Sequence, residues 1–346
     1  MFLSIICVSS QTSEFRQQIE MKAIRTAVAL LACAAFLQAA AQNQTSAFGF
    51  LELPQSSHEA ALGGRNVSII GQDPAMSFSN PATLSYTDRR QLGLNVTTWM
   101  AGTTAAGACY CDAVGQRSAF GVTARYVSYG VSDLTDKSGN ASGTFSSRDI
   151  AIAGSYSYRL GDRLSGGTTL RALYSKYSFY SSFSMSVDLG LSYTDYSGRF
   201  TAGLSFTNMG GQIKPFENTR EKLPFDITAG FSVRLEHAPI RLSLTLDRLN
   251  RWDSSDFYSP DGNLSGGDIF ARHITIGADI LFTDRIYAAL GYNFRRAAEL
   301  STGSHRGLTG MTIGGGVNLN RMSFGIAFGK FQVSTSSLVF NFAINI

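Results

Sequence analysis

The chain ends in LVFNFAINI, Leu338 to Ile346. Leu338, Phe340, Phe342, Ile344 and Ile346 are apolar, and Val339, Asn341, Ala343 and Asn345 fall between them. Successive side chains of an extended strand point to opposite faces, so this alternation gathers five large apolar groups on one face. A soluble sandwich would cover such a face with a second sheet, and a membrane would cover it with lipid. The opposite face decides between them. In MSFGIAFG (Met322–Gly329), TAGLSFTN (Thr201–Asn208), FSMSVDLGLSY (Phe183–Tyr193) and PIRLSLTLDRL (Pro239–Leu249), the residues between the bulky ones are Gly, Ser, Thr, Ala and isolated charges. A face meeting bulk water would carry many Lys and Glu, whereas small and hydroxylated groups suit the inside of a closed barrel. A bilayer admits only helices or closed barrels, so the bulky row faces lipid.

About fourteen segments between Gln91 and Ile346 fit the template, an even number as single-chain bacterial barrels have. Among them are Arg163–Phe179, Pro239–Arg251, Asp268–Phe282 and Arg285–Arg296. Their connections alternate in length. Tight turns fall near Gly161, Ser197-Gly198, His237-Ala238, Thr283-Asp284 and Leu319-Asn320. Long links fall at Ser128–Ser147, Gly210–Leu223, Trp252–Gly267 and Ala297–Arg306. Short periplasmic turns and longer outer loops are the outer-membrane arrangement. The fold class expected is an all-β transmembrane antiparallel barrel over residues 91–346, and its location is the outer membrane of a Gram-negative bacterium.

Composition agrees. Charged residues are 16% of the chain, against about 25% in soluble globular proteins, and 35 glycines accompany 24 Phe and 14 Tyr. From Met21, MKAIRTAVALLACAAFLQAAAQ has basic Lys22 and Arg25, an apolar run from Ala27 to Leu37, and small residues Ala39 to Ala41 before Gln42. That is the build of a secretory signal peptide cleaved after Ala41, with translation expected to start at Met21 rather than Met1. The apolar run is shorter than the ~20 residues of a membrane-spanning helix. The remaining charge is nearly balanced, which argues against nucleic acid as a partner, since that needs a clustered basic stripe.

Residues 42–90 do not read as strands. A helix-like stretch near Ser56–Leu62 is followed by Gly63-Gly64, and Asn80-Pro81 punctuates a second turn. This region is either an extended periplasmic arm or a plug (hatch) folded inside the lumen.

Catalytic chemistry is not marked. His58, His237, His273 and His305 show no metal-binding or nucleophile-activating spacing. Cys109 and Cys111, two apart on one strand face, read as small packing residues, because bridging them would strain the backbone. The expectation is no enzyme, no cofactor and no metal. Asp149, Arg171, Asp188, Asp226, Arg241, Asp247, Asp279 and Arg295 fall on the polar strand faces, where opposite charges in a crowded lumen pair with each other or with a plug. Tyrosines at strand ends, such as Tyr126, Tyr158 and Tyr193, suit interfacial girdles. The long link after Trp252, with Phe257 and Tyr258, offers aromatic anchors for a partner.

Phe50–Pro54, Ala61–Gly64, Asn80–Ala82, Leu223–Asp253 and Arg321–Ser334 carry a resemblance to the FadL-type outer-membrane barrels, in which an N-terminal hatch with an Asn-Pro-Ala element plugs a fourteen-stranded barrel. Within that superfamily the chain resembles the PorQ-like components of the type IX secretion system. The resemblance implies hatch residues Gly63, Gly64, Asn80, Pro81 and Ala82. It implies action with PorU- and PorV-like proteins in a complex that removes a C-terminal signal from cargo and attaches the cargo to lipopolysaccharide. The barrel's implied part is to hold a PorZ-like surface protein. The rival expectation is a FadL-like transporter of hydrophobic small molecules. That would need an apolar lumen pocket, and no apolar cluster is evident on the inward faces. Gly314–Gly316 is the only candidate kink for a lateral opening.

Overall fold

The computed structural model describes residues 48–71, 73–87, 90–99, 102–135, 141–217, 220–259, 264–283, 285–300, 309–330 and 336–346. Two units divide the chain, Met1–Asn43 and Gln44–Ile346. The first lies outside the described residues, as do the expected signal peptide, its cleavage point and His305.

Fourteen antiparallel strands close into a barrel in sequence order, the last pairing with the first. They are β1 (Gln91–Thr98), β2 (Thr104–Val114), β3 (Ser118–Thr135), β4 (Ala141–Arg159), β5 (Leu164–Tyr177), β6 (Tyr180–Thr194) and β7 (Phe200–Lys214), then β8 (Asp226–Arg234), β9 (Ile240–Leu246), β10 (Ile274–Leu281), β11 (Ile286–Asn293), β12 (Met311–Asn318), β13 (Met322–Gly329) and β14 (Ser337–Asn345). Closure sets Gln91 opposite Asn345 and Leu94 opposite Phe342, so no strand edge is left open. No helix among the described residues is long and apolar enough to cross a membrane.

The side-chain parity is the one the terminal strand announces. Gln91, Asn95 and Thr97 of β1 are buried inward, while Leu94 and Val96 are exposed on the outer face. Val122, Ile152 and Leu170, each at least half exposed, continue that outer apolar belt. In water these groups would cost ~25 cal/mol per Å² of apolar surface, and lipid removes that cost.

Strand pairing continues to the short turns all round the ring. Val114 faces Ser118, Arg159 faces Ser165, Thr194 faces Thr201, Arg234 faces Arg241 and Asn318 faces Ser323. That rim is therefore level, and every difference in strand length shows at the other end. Strands β8 to β14 are 7 to 9 residues long, whereas β3 and β4 are 18 and 19. At about 3.3 Å per residue and a tilt near 40°, a nine-residue strand rises ~23 Å, about the height of the apolar band, and β3–β4 rise ~23–25 Å further.

This corrects two expected links. Residues 128–147 are mostly strand, since β3 runs to Thr135 and β4 starts at Ala141, with a bulge between Ser128 and Val131. Likewise β7 extends to Lys214 within the expected link Gly210–Leu223. Apolar alternation marks the height of lipid and not the end of a strand, because backbone pairing continues above the bilayer without it. Two expected strands shorten for the opposite reason. Gly266–Arg272 is a helix (α2), not the start of Asp268–Phe282, because Ser265 and Asp268 form a reciprocal capping box. Phe294–Glu299 is a helix (α3) rather than the end of Arg285–Arg296, with the Asn293 side chain accepting from Arg296 N. Consequently Arg295 sits on α3 and pairs with Glu299 at 3.1 Å, off the barrel wall. Asp247 also lies beyond its strand, since β9 ends at Leu246.

Candidate functional site

The candidate site is the set of contacts between residues 48–87 and the inward strand faces, with the loops above them. The segment holds 3-10 turns at Gly49–Glu52, Pro74–Phe78 and Pro81–Tyr86 and one short helix, α1 (Ser57–Ala61). Ser56 caps α1, accepting from the His58 and Glu59 amides. Gly63 and Gly64 end it at φ 101° and 127°, a backbone region that Gly enters without steric cost.

Hydrogen bonds join this segment to strands around the whole ring. Arg125 of β3 donates to the Leu53 carbonyl, Arg159 of β4 to that of Ser85, and Ser165 of β5 to that of Ala82. Asn80 caps the Pro81–Tyr86 turn and donates to the carbonyls of Val67 and, on β6, Leu191. Ser205 of β7 donates to Ser79 O, Thr312 of β12 to Ala61 O, and Ser57 N donates to Asn341 of β14. The segment is thus bonded to strands on opposite sides of the ring. Inward glycines give it room: a Cβ at Gly190 would strike the Asn80 side chain, and one at Gly203 the Val67 carbonyl.

The inward charges sort into three groups. Arg171, almost wholly buried, donates to Asp188 at 2.6 Å and to Asn208 Oδ1 at 2.7 Å, with the Phe78 ring 4.5 Å from its guanidinium. Asp279 lies 2.7 Å from His58 Nε2 of α1 and accepts from Arg241 Nε at 2.8 Å. Asp226 accepts from Arg65 at 2.6 Å. Asp149 belongs to none of these and accepts from the Tyr129 and Tyr177 hydroxyls. A buried ion pair holds position more than it stabilises, because desolvation offsets much of its attraction. The second and third groups tie the segment to strand residues through His58 and Arg65; among the described residues no cluster could hold a metal ion.

Sequence reading missed three contributors. Arg65 was detectable as a lone cation after a Gly pair. Asn208, at φ 60°, bonds Arg171, Asp188 and Pro224 from a bulge in β7, and Asn is a residue that tolerates that backbone. The third is an apolar cluster on the inward face, contrary to the expectation that none existed. Phe48, Phe50 and Leu51 pack there against Ala105, Val127, Ala151, Leu173 and Leu223. One apolar residue from each of several strands leaves no local pattern to read.

Above β9, Trp252 and Tyr258 are exposed, but Phe257 is buried edge-on against His273 at 5.4 Å. Phe257 therefore cannot serve as the expected partner anchor. Trp252 lies tilted against the same ring at 4.3 Å and donates from its indole to Leu249 O. Beside this loop Arg248 pairs with Glu52 at 2.6 Å. Burial works against the Glu52 charge, but Arg248, Arg295, Arg251 and Arg65 together lower its pKa to about 2. Burial raises that of Asp247.

The family model described as type IX secretion system protein PorV matches residues 36–249, more than half of the chain. The chain belongs to the PorV family. No curated protein matches it in sequence. Among solved structures, the Pseudomonas putida toluene transporter TodX is similar at 14% identity and a TM-score of 0.55, over 85% of this chain and 98% of that one. The monoaromatic hydrocarbon channel CymD is similar at 14% identity and a TM-score of 0.51, over 87% and 99%. A Pseudomonas aeruginosa FadL homologue aligns at 12% identity with a TM-score of 0.49, over 84% and 98%. These likenesses are ones of fold. The chain is a type IX secretion component with an outer-membrane-type barrel, and family and fold point to the outer membrane of a Gram-negative bacterium.

Proposed function

We propose that this chain is a non-enzymatic, PorQ-like member of the secretion machinery, with residues 48–87 as its plug. In this reading the barrel holds a PorZ-like surface protein beside PorU- and PorV-like partners, where cargo is processed and attached to lipopolysaccharide. One observation carries it: residues 48–87 are hydrogen-bonded to strands around the ring, which supports a plug that leaves the outer end, not a conduit, as the surface left for work. The loop from Trp252 to Gly267 presents exposed Trp252 and Tyr258 at that end, on a rigid scaffold where binding usually resides. Shortening Asp253–Ser265 should release the surface partner from outer membranes while the barrel still inserts. Deleting the gene should leave signal-bearing cargo uncleaved or unattached. Normal partner retention in the shortened strain would refute the loop's role.

A FadL-like transporter is the second reading, and two observations favour it. The apolar cluster around Phe48 and Leu173 gives the inward face the apolar environment such a transporter needs, here packed by the chain's own residues. Outside, a groove of about 500 Å³ opens in the wall at Gly315, beside Phe324, Ile326 and Phe340. A deletion strain that processes cargo normally but loses growth on a hydrophobic nutrient would decide for this reading.

A further inference from the structure

Six of the seven odd-numbered strands are preceded by arginine at the level rim: Arg90, Arg117, Arg163, Arg199, Arg285 and Arg321. The turns are otherwise unlike, among them GDRL, SGRF, TDRI and LNRM. Five of the positions are structurally equivalent: the carbonyls of Arg117, Arg163, Arg199, Arg285 and Arg321 each accept the backbone amide that ends the strand after their own, at 2.7–2.8 Å, while the Arg90 carbonyl accepts from Ile346 N, just past β14, at 2.8 Å. In the seventh turn Pro239 occupies the place, and its carbonyl accepts from Leu281 N at 2.7 Å. The backbone role is thus filled equally well by proline, so what recurs six times is the side chain. No turn type demands arginine.

All six side chains are exposed. Arg163, Arg199, Arg285 and Arg321 stand one residue below the outward apolar row that begins with Leu164, Phe200, Ile286 and Met322, and Arg90 and Arg117 lie within three residues of outward Leu92 and Phe120, so the guanidinium groups ring the barrel where its apolar band ends. Arg163 shows how they lie: it curls outward over the Tyr196 ring at 4.1 Å and reaches the Tyr193 hydroxyl at 3.3 Å, both at the aromatic edge of the band. Among the described residues, carboxylates do not account for the ring. Arg199 meets Glu236 at 2.7 Å, but Arg90 is 3.9 Å from Asp112, and Asp195 is taken up by Ser197 and the Phe200 amide of its own turn.

The geometry points to a collar that binds phospholipid phosphate groups around the short-turn rim. Arginine presents several donors in a planar fork that matches a phosphate, and its long stem lets the charge reach the interface while the carbons stay in lipid. In an outer membrane the leaflet on the periplasmic side is phospholipid. The inference rests on the short turns facing the periplasm, as under the proposed function, but its test does not.

The mature full-length protein, purified in mild detergent, is offered equal amounts of phosphatidylglycerol and phosphate-free digalactosyl diacylglycerol, and retained lipids are counted by native mass spectrometry. Wild type should prefer phosphatidylglycerol. A quadruple variant, R117Q/R163Q/R285Q/R321Q, should lose that preference by roughly fivefold or more, since each basic residue near an anionic surface contributes about 1 kcal/mol. The matching four-lysine variant should keep most of it. Heat-modifiable gel migration confirms folding, and if the quadruple variant fails that check, R163Q and R321Q are read singly for a smaller loss in the same direction. An unchanged preference overturns the collar. So does an equal loss from R148Q/K176Q/K214Q at the other end of the barrel, which would make the effect one of net charge.

Discussion

The wall from β3 to β7 and the wall from β8 round to β1 treat the same end of the barrel differently. On the first, paired strands carry on above lipid, and β4 reaches 19 residues. On the second, strands stop at 7 to 9 residues and the chain goes into α2, α3 and the loop packed on His273. The rim at the other end is level, so the difference lies wholly outside the bilayer, where the fold is free to vary. Lipid constrains the shared height on both walls, and that height is where the sequence pattern is strongest.

The sharpest contrast between the walls is in their inward charges. Arg171 and Asp188, on the tall wall, are sealed, with side chains 2% and 1% exposed. Asp188→Ala leaves a buried guanidinium with one neutral partner and should cost about 3–5 kcal/mol. On the short wall, Asp279→Ala leaves Arg241, whose side chain is 19% exposed and can hydrate, so the loss should be smaller. Urea unfolding followed by heat-modifiable migration measures both. A larger loss at Asp279 would break the comparison.

The next effect tests the lipid boundary itself. Phe342→Arg, on the outer face of β14, should cost ~2–4 kcal/mol and block assembly. Ala343→Ser, inward beside it, should be tolerated. Val131→Arg, outward on β3 and 72% exposed, stands above lipid on the tall wall and should change stability by about 0–1 kcal/mol. If Arg at 131 were as damaging as at 342, the tall wall would be immersed in the bilayer. Smaller again is overpacking beneath the segment. Gly190→Ala puts a methyl group against Asn80 and should cost about 1–3 kcal/mol, while Gly154→Ala meets nothing within 4 Å and should be near neutral. Equal denaturation midpoints for the two would show that Asn80 moves aside freely.

Much of this was legible and some was not, for physical reasons. Leu338 to Ile346 identified a lipid-facing strand because a bilayer imposes a two-residue period on every strand that crosses it. The same period could not find the upper parts of β3, β4 and β7, where water meets both faces. It also carried two strands too far, through Asp268–Arg272 and past Asn293, although SGGD is itself a capping signal. Parity placed Arg171, Asp188 and Asp279 inward. It could not say that Asp226 meets Arg65, 161 residues away, or that Asp279 meets His58, because nothing local encodes such pairs.

The smallest effect lies at the junction of the two walls, where Glu52 of the inner segment meets Arg248 just past β9. The Glu52 pKa is held at about 2, below the ordinary carboxylate value of 4.5, by four arginines against the pull of burial. A lowered folded-state pKa means the contribution is complete above about pH 4.5 and is lost as pH falls toward 2. The Glu52 side chain is 36% exposed, so solvent screening limits the contribution to about 0–1 kcal/mol. Trp252, bonded to Leu249 next to Arg248, reports on this junction and is one of only two tryptophans. In a Trp99→Phe background, its fluorescence should shift as the pH is lowered through that window. Glu52→Gln, which cannot ionise, should remove the Glu52 component of that shift. An identical acid transition in the Gln variant would mean that the segment is held at this point by packing of Phe50 and Leu51 alone, and that the junction carries no electrostatic latch.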